Sequence, residues 1–102
     1  MIERSDVLNN QAISLASEGN FKDAIACFKR AIFIEKENHL LWYNLGITYR
    51  DAGDLSNAKK SLETAYSINP IDEDVIETYA TICLSLKQFD EVIAVTFDYG
   101  QR

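Results

Sequence analysis

The chain has 102 residues, of which 47% are hydrophobic and 25% charged, and a formal net charge of -6. That length and composition suit one folded unit with a modest core, while an acidic surface without a Lys/Arg cluster argues against a nucleic-acid partner. No apolar run is long enough to cross a bilayer, and MIERSDVLNN has no apolar stretch behind its charges as a signal peptide would, so the sequence reads as a cytoplasmic chain without membrane insertion.

Apolar residues recur at helical spacing throughout, and six helices of about 12–14 residues are predicted. The first carries Leu8, Ala12 and Leu15, and Gly19-Asn20 follows it. Glycine there can take the left-handed conformation that ends a helix, and Asn20 can cap the next one. The second helix carries Ala24, Phe28 and Ala31. The third carries Trp42, Leu45, Gly46 and Tyr49, and Gly53-Asp54 repeats the stop-and-cap signal. The fourth carries Ala58, Leu62 and Ala65 and ends at Ile68-Asn69-Pro70, because a residue before proline avoids the helical region. The fifth carries Ile76, Tyr79, Ala80 and Cys83. A sixth, with Val92, Thr96 and Tyr99, is predicted after a turn at Leu86-Lys87-Gln88-Phe89, a junction with no glycine.

Leu8, Trp42 and Ile76 are equally spaced, and the shift that carries one onto the next also aligns Asn10 with Asn44, Gly19 with Gly53, Ala24 with Ala58 and Ala31 with Ala65. Twice that shift aligns Ala12 with Ala80, Phe21 with Phe89 and Ile25-Ala26 with Ile93-Ala94. A fixed period of about 34 residues predicts stacked helical repeats. Gly46 then has a physical role. A small residue on the first helix of a pair lets a large side chain of the second approach its backbone, and Ala12 and Ala80 hold the equivalent places.

The run Trp42, Leu45-Gly46, Tyr49, Gly53, Ala58, Ala65 and Pro70 resembles the signature of the tetratricopeptide repeat family. The resemblance implies an all-α, right-handed superhelical solenoid of three helix-turn-helix repeats and six helices. It implies one domain over residues 1–102, with repeats at about 5–38, 39–72 and 73–102. In that family the first helix of each repeat lines a concave face that holds an extended peptide or a partner helix. Carried onto this chain, the groove positions are Asn9, Asn10, Ile13 and Ser17; Leu40, Tyr43, Asn44, Ile47, Arg50 and Asp51; and Asp74, Glu77, Thr78, Thr81 and Ser85. The implied function is non-catalytic protein binding, with a protein or peptide partner and no cofactor.

One subclass of the family grips the C-terminus of heat-shock chaperones with Lys and Asn from the first repeat, Asn from the second, and Lys and Arg from the third. Here those places hold Asn9, Ile13, Asn44, Asp74 and Thr78, so only Asn44 matches and this ligand is not expected. Catalysis is not expected either. The chain has one histidine, His39, and two cysteines, Cys27 and Cys83, with no P-loop, GxSxG or HExxH. Both cysteines fall on apolar helical positions and read as buried reduced thiols; with so few ligands, no metal site is predicted. The predicted last helix is apolar on more than one side. Phe89, Ile93 and Phe97 are therefore candidates for self-association into a homodimer, and a self-assembling structural module is the alternative function.

Overall fold

The computed structural model describes residues 3–101, with side chains to residue 87. Five α-helices follow one another: α1 Ser5–Ser17, α2 Phe21–Ile34, α3 His39–Asp51, α4 Leu55–Ile68 and α5 Glu73–Gln101. The described residues contain no strand.

The two hairpins turn where glycine permits it. Gly19 has φ 81° and Gly53 has φ 87°, the left-handed region open to a residue without a Cβ. Each turn closes with the same pair of bonds. Asn20 N–H donates to Leu15 O at 2.9 Å and Gly19 N–H to Ala16 O at 3.0 Å; Asp54 N–H donates to Tyr49 O at 2.9 Å and Gly53 N–H to Arg50 O at 3.0 Å. This double closure satisfies carbonyls that a bare helix end leaves open. The caps that follow differ. Asp54 accepts from Asn57 N–H at 3.1 Å and from Asn57 Nδ2 at 2.7 Å. Asn20 makes no such cap; its Nδ2 donates to Asp23 Oδ2 at 3.0 Å instead.

The predicted turn between a fifth and a sixth helix is absent. The helix runs on as α5, 29 residues from Glu73 to Gln101, a rod of about 43 Å at 1.5 Å per residue. The physical reason lies at the junction. Lys87 stands where Gly19 and Gly53 stand, no non-glycine residue among those described has a positive φ, and Gln88 is a poor N-cap compared with Asn or Asp. Nothing there stops a helix, so among the described residues five helices replace the expected six.

Each hairpin packs α1 on α2 and α3 on α4, and the two hairpins stack through α2 and α3. One core cluster joins Leu8, Ala12, Phe28, Ala31, Ile32, Leu41 and Leu45. A second joins Ala58, Leu62, Ala65, Val75 and Ile82. Trp42 and Tyr49 touch both. Trp42 also donates its indole N–H to Lys36 O at 2.9 Å, which ties the α2–α3 turn to the core. Phe28 and Leu62 are fully buried, each contributing about 1.5–3 kcal/mol through burial. Leu41 and Val75 share a register position with Val7. Leu41 lies against α2 residues and Val75 against α4 residues, whereas Val7, on α1, is exposed.

The links between hairpins are pinned in register too. Ser5 at the start of α1 donates its hydroxyl to the Glu35 carboxylate. Its equivalent His39, at the start of α3, has Nε2 at 2.8 Å from Asp72 Oδ2. Asp72 in turn accepts from the N–H of Asp74 at 3.0 Å and of Val75 at 3.4 Å, capping α5.

Candidate peptide-binding groove

The first helices of the stack present the candidate site. α1 touches α3 directly, and the contact is polar at its centre: Asn44 Nδ2 donates to Asn9 Oδ1 at 2.9 Å. Both side chains are half-buried. Among the described residues these side chains make no other hydrogen bond, so Asn9 keeps its N–H donors and Asn44 its carbonyl acceptor facing water. A carboxamide offers both a donor and an acceptor, and this pair therefore presents a peptide-like edge between two repeats.

Apolar residues flank the pair. Ile13 is 47% exposed and Leu40 51% exposed, while Ile47 is half-buried. Tyr43 is also half-buried, but it packs against the second core cluster and so serves the core as well as any ligand. Arg50 is exposed and lies 3.2 Å from Asp51. On α5, Glu77 is exposed, Thr78 is half-buried and Thr81 is exposed. Thr81 donates its hydroxyl to Glu77 O at 2.8 Å, within its own helix.

Asn10 stands apart from its neighbour. It lines an open cleft of about 730 Å3 with Val7, Gln11, Ser14, Leu15, Cys27 and Arg30, formed by α1 and α2 alone. Asn9 and Asn44 are thus brought together and Asn10 is not. Leu84 is a further exposed apolar residue of α5, at 60%. It was legible in the i, i+4, i+7 spacing of Glu77, Thr81 and Leu84. The side chains of Phe89, Ile93 and Phe97, the candidates for self-association, lie outside the described residues.

Electrostatics sharpen the region where α3 meets α5. The His39 hydrogen bond, followed by the backbone N–H groups of Val75 and Asp74, holds the Asp72 carboxyl below its ordinary value despite partial burial. On the side of α5 turned to α4, Tyr79 donates to Glu63 Oε2 at 3.3 Å. Burial first, then the Glu63 carboxylate, push that phenol up from its ordinary value. No helix among the described residues is long and apolar enough to cross a membrane.

Antiparallel helix pairs in one fixed repeat register, with glycine at each turn and the first helices sharing one face, define a helical-repeat solenoid. The family model for the tetratricopeptide repeat matches residues 5–38 and 40–72, and the chain belongs to that family. Among curated proteins, it is similar to the tetratricopeptide repeat-containing protein trd-1 of Caenorhabditis elegans, with 27% identity over 72% of this chain. That stretch spans only 10% of the relative's length. Among solved structures, it is similar to the second tetratricopeptide domain of Spaghetti (RPAP3) bound to the HSP90 peptide SRMEEVD. The TM-score is 0.77 and the identity 21%, over 85% of this chain and 81% of that one. The first such domain of the same protein, bound to the same peptide, gives a TM-score of 0.78 at 17% identity, over 85% and 71% of the two chains. These likenesses establish the fold.

Proposed function

We propose that this protein is a non-catalytic interaction module that holds an extended peptide of a protein partner across α1, α3 and α5. The observation that carries the proposal is the Asn9–Asn44 pair, 2.9 Å apart, with free polar valences between the exposed Ile13 and Leu40. The carboxamides would meet the peptide backbone, each bond contributing about 0.5–1.5 kcal/mol net. Ile13, Leu40 and Ile47 would take alternate side chains. The two Spaghetti domains, each bound to a peptide, support a peptide ligand on this fold.

The ligand we propose is not the acidic chaperone tail. A C-terminal carboxylate needs cations, and this chain offers Asn9, Ile13, Asp74 and Thr78 where the clamp would have Lys, Asn, Lys and Arg. Asp74 and Glu77 would repel acidic residues. The favoured ligand is an uncharged or basic internal segment with apolar side chains at alternate positions.

Selection from a displayed peptide library, followed by titration calorimetry, tests this. The selected peptides should be apolar and non-acidic, and SRMEEVD should not bind at millimolar concentration. Ile13→Ser with Leu40→Ser, both at exposed positions, should weaken the selected peptide at least tenfold while leaving the melting temperature unchanged. Selected peptides that bind the double variant as tightly as the parent would refute the groove, and tight SRMEEVD binding would refute its specificity.

A further inference from the structure

The first helix of each complete hairpin turns one face to the second. On α1 that face holds Leu8, 4% exposed, and Ala12, 0% exposed, both in the core cluster that includes Phe28 and Ala31 of α2. On α3 it holds Trp42 and Gly46, and Gly46 lies against Leu62 and Ala58 O of α4. The equivalent residues of α5 are Ile76, which is 43% exposed, and Ala80, which is exposed. With Cys83 they lie within an arc of about 60° on an ideal helix. Val75, Tyr79, Ile82 and Leu86, which reach the second core cluster, lie to one side of that arc, and the groove positions Glu77, Thr78 and Thr81 lie to the other. The hairpin face of α5 is thus separate from both core and groove.

What covers this face in the other repeats has one pattern. It is an antiparallel helix with a small, a large and a small residue at fixed spacing. α2 presents Ala24, Phe28 and Ala31, α4 presents Ala58, Leu62 and Ala65, and each of the six is at most 1% exposed. The chain does not repeat this pattern a third time. The same register positions hold Val92, Thr96 and Tyr99, and the backbone there continues α5 instead of turning back. Charge gives the direction of a cover. Glu73 and Glu77 are exposed near the start of the face and Lys87 at its end, and neither glutamate makes an ion pair among the described residues. An antiparallel helix sets its last turn beside the two glutamates and its first turn beside Lys87. Lys or Arg in a last turn and Asp or Glu in a first turn are also what the helix macrodipole favours.

We propose that the Ile76–Ala80–Cys83 face receives an amphipathic helix of a different protein, antiparallel to α5, with a small-x3-large-x2-small apolar pattern and a basic last turn. That helix completes the third hairpin. Ala80 sets the closest approach: α2, which packs on Ala12, is the fitting template, whereas α4 packs on a glycine. The proposal does not rest on the groove reading, which uses the other side of α5.

A synthetic helix tests this on the full chain. The probe has the sequence of residues 21–34 with Cys27→Ser and two added C-terminal lysines. A hydrocarbon staple between positions 22 and 26, both exposed on α2, holds it helical. Fluorescence anisotropy should show saturable binding of one probe per chain. Ala80→Glu should weaken binding roughly tenfold or more by forcing a charge into the contact, and should leave the melting temperature unchanged. Ile76→Ser gives a second reading should Ala80→Glu unfold the chain. Ile13→Ser with Leu40→Ser should leave probe binding unchanged. Glutamates in place of the two added lysines should weaken it about threefold or more at low salt. No saturable binding at millimolar probe overturns the proposal, as does binding that is indifferent to both α5 variants or lost with the groove pair. A native dimer in sedimentation equilibrium that Ala80→Glu dissociates overturns it in favour of a second copy of this chain. Equal binding of the lysine and glutamate probes overturns the assigned direction.

Discussion

Adding a single methyl at Gly46 tests the packing on which the hairpin depends. In an open helix Gly46→Ala would stabilise by about 1 kcal/mol, because alanine restricts the unfolded backbone and glycine does not. Here the new Cβ would fall inside the envelope of Leu62 Cδ2 and 3.3 Å from Ala58 O. Leu62 is 0% exposed, so its methyl must turn within the core to make room, and the Ala58 carbonyl belongs to the α4 backbone. Overpacking of this kind costs about 1–3 kcal/mol. With the Cβ falling inside one buried side chain and against a backbone carbonyl we take the upper end, leaving a net loss of about 2 kcal/mol after the propensity gain. For a domain of this size that lowers the melting temperature by about 8–16 °C. The decisive experiment is a double-mutant cycle followed by urea unfolding with far-UV circular dichroism. Leu62→Ala alone should cost about 2–5 kcal/mol. Once the Leu62 methyls are gone, adding Gly46→Ala should change sign and stabilise by about 0.5–1 kcal/mol, a coupling of about 3 kcal/mol. If Gly46→Ala is neutral in the native background, or equally destabilising in both, the close helix approach is not what places glycine there.

Two further predictions concern the helix starts. Asp54→Ala should cost about 1 kcal/mol, the usual value of a lost N-cap, whereas Asn20→Ala, which removes no cap bond, should cost measurably less; chemical denaturation of the two variants under one condition compares them. Asp72 titrates below its ordinary range in the fold, so its contribution is present above the unfolded value of about 4 and is lost as the pH falls through the lowered folded value. Asp72→Asn, which can still cap α5, should melt lower than the native chain at neutral pH, and the gap should close towards pH 2; a gap independent of pH would mean that the His39 contact contributes nothing through charge.

Much of the fold was legible because its determinants are local. Gly19 and Gly53 mark turns through a conformation that other residues avoid, and Pro70 marks the end of α4 by steric exclusion. The repeat register then carries Trp42 and Gly46 onto Leu8 and Ala12. The missing sixth helix shows where periodicity stops being sufficient. The apolar spacing of residues 89–101 suits a second helix in a hairpin, but spacing does not say whether the chain turns before it. That depends on one residue, and Lys87 cannot do what glycine does. The groove was legible by register and not by contact. Asn9 and Asn10 were equivalent candidates until their directions on α1 separated them, one toward Asn44 and one toward a different cleft. Tyr43 looked like a groove residue because its register position faces inward; that it also packs on the second core cluster depends on tertiary packing, which no local pattern encodes.

The two ends of the stack differ in how far each keeps the apolar pattern of the repeat. Positions 14, 48 and 82 are equivalent in the repeat register and are occupied by Ser14, Thr48 and Ile82. Ser14 lies in the open cleft of α1, Thr48 is 3% exposed and Ile82 1% exposed. The α1 edge has the more polar residue at the position its neighbours bury, and Asn10, Gln11 and Arg30 line the same cleft. Val7, Leu15 and Cys27 line it as well, so the cleft mixes polar and apolar side chains. On α5, Ile76 and Ala80 keep the apolar character of Leu8 and Ala12, which are buried, yet stand exposed themselves. Burial is worth about 25 cal/mol per Å2 of apolar surface, so a cover over either edge would be favourable, through Val7 at the α1 edge and Ile76 on α5.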